Sequence, residues 1–243
     1  MIHKSEIKLI TSLQQKKYRM QHGLFVAEGI KLVKDLLSSG SEPVHIFTSE
    51  DTSLGHPLCQ LISTKELQKI SSQKNASGVL GVFRIPEQSA PSPSGLTVAL
   101  DAVRDPGNMG TIIRLCDWFG VSQLICSDDT VDCYNPKVVQ ATMGSIARVQ
   151  VHYVALNEFL AESSSPIYAA VMNGNNIYAE ALPENAILLM GNEARGISEN
   201  LLQQISNPIT IPSFSQGDTA ESLNVAMATG ILLSEFRRNI IER

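Results

Sequence analysis

Apolar residues recur at helical spacing through the first twenty positions. Ile7, Ile10, Leu13 and Met20 stand on a polar background, which predicts a helix over residues 3–21. A short apolar run, Leu24 to Ala27, predicts a strand, and KLVKDLLSSG predicts a second helix closed at Gly40, whose missing Cβ suits a left-handed cap. VHIFTS and GVLGVFRI read as strands on either side of a short helix, TKELQKIS, with Glu66 in its first turn. Alternating strands and helices in a unit of this size predict a small three-layer α/β domain. The stretch PEQSAPSPSG, residues 86–95, is rich in Pro, Ser and Gly and nearly free of apolar side chains, so it reads as a linker. The alternation then restarts, with strands expected over 96–103, 123–127, 147–154, 167–171, 186–190 and 208–211. Several are almost continuously apolar, as in a parallel sheet covered on both faces. A last helix, from about Ala220 to Ile240, is apolar around most of its circumference, which predicts burial against the sheet or a second subunit.

With 243 residues and 43% hydrophobic content the chain can bury one large core or two modest ones. The linker sets the expected boundary, giving domains 1–90 and 91–243. No apolar run approaches the roughly 18 residues that span a bilayer, and the N-terminus lacks a leader pattern, so a soluble, cytoplasmic protein is expected. Cys59, Cys116, Cys126 and Cys133 form no CxxC pair and read as reduced packing residues, and no metal site is expected. The net charge of −5 argues against non-specific coating of nucleic acid, yet it conceals an asymmetry. Residues 1–34 carry seven Lys and Arg against Glu6 and Glu28, a local +5, which is compatible with a local RNA contact.

Three segments of the second half carry candidate chemistry. In DAVRDPGNMGTIIRLCDWFG, residues 101–120, a strand ends, a Pro-Gly turn follows, and a helix is expected to start near Asn108 as its N-cap. Gly110 lies one turn before Arg114 and leaves room beside the guanidinium. In AILLMGNEARGIS, residues 186–198, a buried strand runs into Gly191, Asn192 and Glu193, with Ser198 placed to cap a short helix. Glycines at the carboxyl end of such a strand let a ligand approach the backbone, and Glu193 there needs a partner, either Arg114 or a substrate hydroxyl. In ITIPSFSQGDTAESLNVAMATGILLSEF, residues 209–236, Ser222 and Asn224 stand where helix caps are expected. Parallel strands would bring all three junctions to one sheet edge. The first turn lacks the G-x-G-x-x-G spacing, which excludes a dinucleotide-binding oxidoreductase.

In this order, the three segments resemble the motifs of the SpoU/TrmH family of RNA 2'-O-ribose methyltransferases: NxGxxxR (Asn108, Gly110, Arg114), GNExxG (Gly191 to Gly196) and SLN (Ser222 to Asn224). The N-terminal part, in FVAEGIKLVKDLL and SQKNASGVLGVF, resembles the substrate-binding domain that precedes the catalytic domain in bacterial rRNA members. The resemblance implies a trefoil-knotted, mostly parallel SPOUT domain behind a small L30e-like RNA-binding domain, an exception to the rule that chains are unknotted. It also implies a homodimer, and S-adenosyl-L-methionine (SAM) held at Leu189, Gly191, Ile211 and Leu223. Activation of the ribose hydroxyl falls by the same resemblance to Arg114, with Asn108, Glu193, Ser222 and Asn224 orienting Arg114 and the ribose. An arginine this basic is a poor free base, so stabilisation of a developing alkoxide is the preferred role.

Large-subunit rRNA is the expected substrate. The alternatives are tRNA and a non-catalytic RNA-binding member of the same fold. One departure from the family pattern is a longer, more acidic loop over 213–221, with Asp218 and Glu221 near the expected RNA path.

Overall fold

The computed structural model describes residues 2–49, 54–92, 94–215 and 221–241. The first half contains α1 (Lys4–Ser12), α2 (Lys16–His22), β1 (Leu24–Glu28), α3 (Ile30–Ser38), β2 (Pro43–Thr48), β3 (Cys59–Leu61), α4 (Thr64–Ile70) and β4 (Val79–Arg84). After them come β5 (Leu96–Leu100), α5 (Pro106–Trp118), β6 (Gln123–Ser127), α6 (Pro136–Thr142), β7 (Gln150–Val154), α7 (Leu156–Glu162) and β8 (Ile167–Asn176). The chain closes with β9 (Ala186–Met190), α8 (Glu199–Leu202), β10 (Asn207–Thr210) and α9 (Val225–Ile241). It divides into two compact units, residues 1–88 with 132–148, and residues 89–131 with 149–243.

The first unit is built on a four-stranded sheet, ordered β1-β4-β2-β3, in which only the β2–β3 pairing is parallel. Its core gathers Ile10, Leu13, Val26, Phe47, Leu67 and Val82. The single helix expected over residues 3–21 is two helices, because the chain turns after Leu13, which is fully buried. Arg19 compensates for the break. Its Nη1 donates to the Leu13 and Gln14 carbonyls at 2.8 and 2.9 Å, satisfying acceptors that a continuous helix would have paired. The rest of the Arg19 guanidinium grips Asp132, with Nε donating at 2.9 Å, and both residues are buried. Residues 132–148 therefore pack within this unit, where the Tyr134 ring lies 4.8 Å from that of Phe25 and α6 buries Val138 and Val139.

The second unit holds a six-stranded, all-parallel sheet ordered β10-β8-β9-β5-β6-β7. Both central strands, β5 and β9, are buried along their whole length, in agreement with their unbroken apolar sequences. From β5 the chain steps outward through β6 to β7, then crosses over to the other side of β5. The strand order thus reverses between β5 and β9, and at such a point the carboxyl ends of the strands leave a crevice suited to a ligand. The edge strand β10 follows β8 with a shift of register after Pro208, and Gly174 allows it: a Cβ there would lie 2.6 Å from the Ile209 backbone.

Candidate active site

At the β5 carboxyl end the chain turns through Ala102, a non-glycine residue at φ 56°. That conformation costs on the order of 1–2 kcal/mol. It is held by the Ala102 amide, which donates to Ser127 Oγ at 2.9 Å, and by the Ala102 carbonyl, which accepts from Asn192 Nδ2 at 2.6 Å. Helix α5 starts immediately afterwards. Its N-cap is Asp105, whose carboxylate accepts from the Asn108 amide at 2.8 Å, and Pro106 occupies the first turn. Asn108 is therefore not the cap expected from the sequence. The Asp-Pro start displaces it into the first helical turn, because proline's fixed φ and missing N–H suit the first helical position. The Asn108 side chain is thereby released for other bonds.

One of those bonds goes to Glu193. Its carboxylate accepts from Asn108 Nδ2 at 3.0 Å and from the backbone amides of Asp105 and Arg104 at 3.1 and 3.3 Å. Partial burial pushes the carboxyl up, but these donors outweigh it and hold Glu193 below the usual carboxylate range. The loop that carries Glu193 is pinned on itself. Asn192 and Gly196 exchange two backbone hydrogen bonds of 2.9 Å, Asn192 Oδ1 accepts from the amides of Ala194 and Arg195, and the Ser198 amide donates to Asp101 at 2.7 Å. Gly191 admits this closure, since a Cβ on it would stand 2.3 Å from the Gly196 carbonyl carbon. Ser198 does sit at the N-cap of α8, although its side chain makes no capping bond.

The third segment joins through Asn224. Its Oδ1 accepts from the amides of Ala226 and Met227 at the start of α9, and its Nδ2 donates to Asn108 Oδ1 at 2.8 Å. Asn224, Asn108 and Glu193 thus form one chain of side-chain hydrogen bonds across the three motifs. Arg114 lies on α5 two turns beyond, exposed, and among the described residues nothing pairs with its guanidinium. Glu193 does not meet Arg114, one of its two expected partners: Asn108 and two backbone amides occupy the carboxylate. Ser222 and Leu223 are exposed, Ile211 is half-buried, and Leu189 is fully buried in β9. Asp218 lies outside the described residues, while Glu221 is exposed. Asp101, Ala102 and Asp105 support the site without having been singled out from the sequence. The Asp-Pro pair at 105–106 was the readable signal for one of them.

Three motif-bearing junctions gathered at the switch point of a parallel sheet define the site of an α/β enzyme. A model of the SpoU rRNA Methylase family matches residues 95–234, and a model of the MRM3-like substrate binding domain matches residues 4–81. A TrmH-family protein from Porphyromonas gingivalis superposes with a TM-score of 0.89 at 35% identity, over 98% of this chain and 99% of that one. The AdoMet-bound rRNA methyltransferase from Sinorhizobium meliloti does so with a TM-score of 0.86 at 31% identity, over 99% and 97%. Among curated relatives, the 23S rRNA guanosine 2'-O-methyltransferase RlmP of Bacillus subtilis is 29% identical over 236 residues, 93% of each chain. The chain belongs to the SpoU rRNA methylase family and is a SAM-dependent RNA methyltransferase.

The residues present fit that cofactor. The Asn224–Asn108–Glu193 bonds join the segment of Leu223, the neighbour of Asn224, to the loop that Gly191 opens after β9. Leu223 is 52% exposed, an uncovered apolar side chain suited to an adenosyl group.

Proposed function

We propose that this protein transfers the methyl group of SAM to a ribose 2'-hydroxyl of large-subunit rRNA. The observation that carries the reading is the Asn224–Asn108–Glu193 hydrogen-bond chain on the same unit as the exposed cation of Arg114, which has no partner among the described residues. SAM supplies a methyl group on a sulfonium whose departure leaves a neutral thioether, so the protein's tasks are alignment and making the hydroxyl oxygen more nucleophilic. Arg114 stabilises the negative charge that develops on that oxygen as its proton passes to water and the new O–C bond replaces the S–C bond of the sulfonium. Asn108, Glu193, Ser222 and Asn224 orient the ribose and Arg114, while Gly191, Ile211, Leu223 and the nearby Leu189 hold the cofactor.

Support for rRNA comes from the activity named for RlmP and from charge. The first unit carries 13 basic against 9 acidic side chains, a formal +4, while the whole chain is at −5. Residues 1–88 form the core of a substrate-binding domain in this reading, and the catalytic domain carries the family's knot. The active unit is a homodimer, supported by Trp118 on α5 and Met227 on α9, 85% and 65% exposed. The site of action is the cytoplasm, in keeping with four free cysteines.

Incubating the protein and labelled SAM with total RNA from cells that lack it, then separating by size, tests the reading. Label in the large rRNA band supports it. Label in tRNA redirects the substrate, and SAM binding without transfer to naked RNA or assembled subunits favours a non-catalytic binder.

A further inference from the structure

The first unit contains a cavity of about 310 Å³ between β1 and α6, at the lower end of the ~300–1,000 Å³ range of ligand pockets. Val26, Pro136 and Ala141 give it apolar walls, while Gln73, Lys137 and Gln140 contribute polar groups. Gln73 Nε2 donates to Gln140 Oε1 at 3.2 Å, which leaves the side-chain N–H groups of Gln140 and Oε1 of Gln73 able to bond elsewhere, while the Gln73 backbone carbonyl accepts from Gln68 Nε2. The carboxylate in the wall, Glu28, is already committed. It accepts from the Ser72 amide at 2.8 Å, from Ser72 Oγ at 2.6 Å, and from Ser71 Oγ. Those bonds fix the Ser71–Gln73 turn, so that the Gln73 amide is held in place before any ligand arrives.

We propose that this cavity receives one unpaired nucleotide of the RNA, distinct from the one that is methylated. The base lies against Val26, Pro136 and Ala141, and its edge meets the Gln73 and Gln140 amides. Lys137 faces the adjoining phosphate. Protein readers of RNA sequence work mostly on unstacked bases, with amide side chains matching base edges, and this unit's formal +4 is complementary to the strand. Residues 132–148, which lie inside the stretch matched by the methylase family model, supply half of the walls. The inference rests on RNA being the substrate, but not on which atom of the RNA is methylated.

Fluorescence anisotropy of a short, mixed-sequence single-stranded RNA on the full-length chain tests it, with Gln140→Leu, Lys137→Ala and the cavity-filling Ala141→Phe as variants. Thermal melts and SAM calorimetry serve as controls of folding and of the cofactor site in the second unit. The expected result is about tenfold weaker RNA binding for each variant that melts like the wild type, with SAM affinity unchanged. Wild-type-like RNA binding by folded Gln140→Leu and Lys137→Ala would overturn the proposal, as would a wild-type chain that methylates rRNA yet binds no such oligonucleotide. Loss of binding in the variants, from a wild-type chain that transfers no methyl to rRNA, would uphold the cavity while refuting the proposed reaction.

Discussion

The side-chain amide of Asn108 donates to the Glu193 carboxylate at 3.0 Å, joining residues 85 positions apart at the reversal point of the sheet. Since the same asparagine accepts from Asn224, it needs a donor on one side and an acceptor on the other. Aspartate at this position would set a second carboxylate against Glu193. Asn108→Asp is expected to lower kcat about 100-fold through misplacement of the reacting groups, with folding retained because Asn108 is half-buried rather than in the core. Steady-state methyl transfer beside a melting curve checks this, and a variant with wild-type kcat would show that the hydrogen-bond chain does not serve the reaction.

Gly191→Ala places a methyl group on backbone, 2.3 Å from Gly196 and 2.4 Å from Ile197, where no side chain can swing away. The loop carrying Asn192 and Glu193 must open. Calorimetric titration with SAM is expected to show at least tenfold weaker binding, whereas Arg114→Ala should leave that affinity intact.

Arg19 and Asp132 form a buried pair inside the first unit. Removing one partner strands the other charge, so Arg19→Ala is expected to cost about 3–5 kcal/mol in denaturant unfolding. The carbonyls of Leu13 and Gln14 lose their donor in the same step. A loss below about 1 kcal/mol would mean that water replaces the guanidinium, as it does for exposed pairs.

Acid sensitivity has a local source in Glu66. Backbone and side-chain bonds from Ser63 and a bond from the Ile2 amide lower its pKa from 4.5 to about 2. A depressed carboxyl contributes stability that is complete above the unfolded value and is lost as pH falls through the folded one. The window is therefore pH 4.5 down to about 2. Glu66→Gln should melt below the wild type at pH 7, and the gap should close across that window when Tm is followed against pH.

Much of the second unit was readable because its strands are long apolar runs and its motifs are local: the parallel sheet and the meeting of the three junctions follow from alternation alone. What escaped were features settled by distant partners. The break after Leu13 depends on Arg19 reaching back and on Asp132, 113 residues away, neither of which periodicity can register. Residues 132–148 look from their sequence like one more crossover of the second half, and only the contacts of Tyr134 and Asp132 place them with the first unit. Strand β3 is three residues of mixed polarity, too short to show a period. Helix α5 starts three positions before the cap expected at Asn108, because Asp105 and Asn108 are both good caps and Pro106, which suits a first helical position as well as a turn, decides for Asp105.

Methylation of the ribose oxygen, rather than of a base, is the central claim, and alkaline hydrolysis of the labelled product tests it most directly. Alkali cleaves RNA through attack by the free 2'-oxygen on the neighbouring phosphate, so a methylated oxygen blocks the cut. The expected result is label recovered in alkali-resistant dinucleotides from large-subunit rRNA treated with the wild-type protein, and no label with Arg114→Ala. Label released as mononucleotides would place the methyl group on a base and contradict the account.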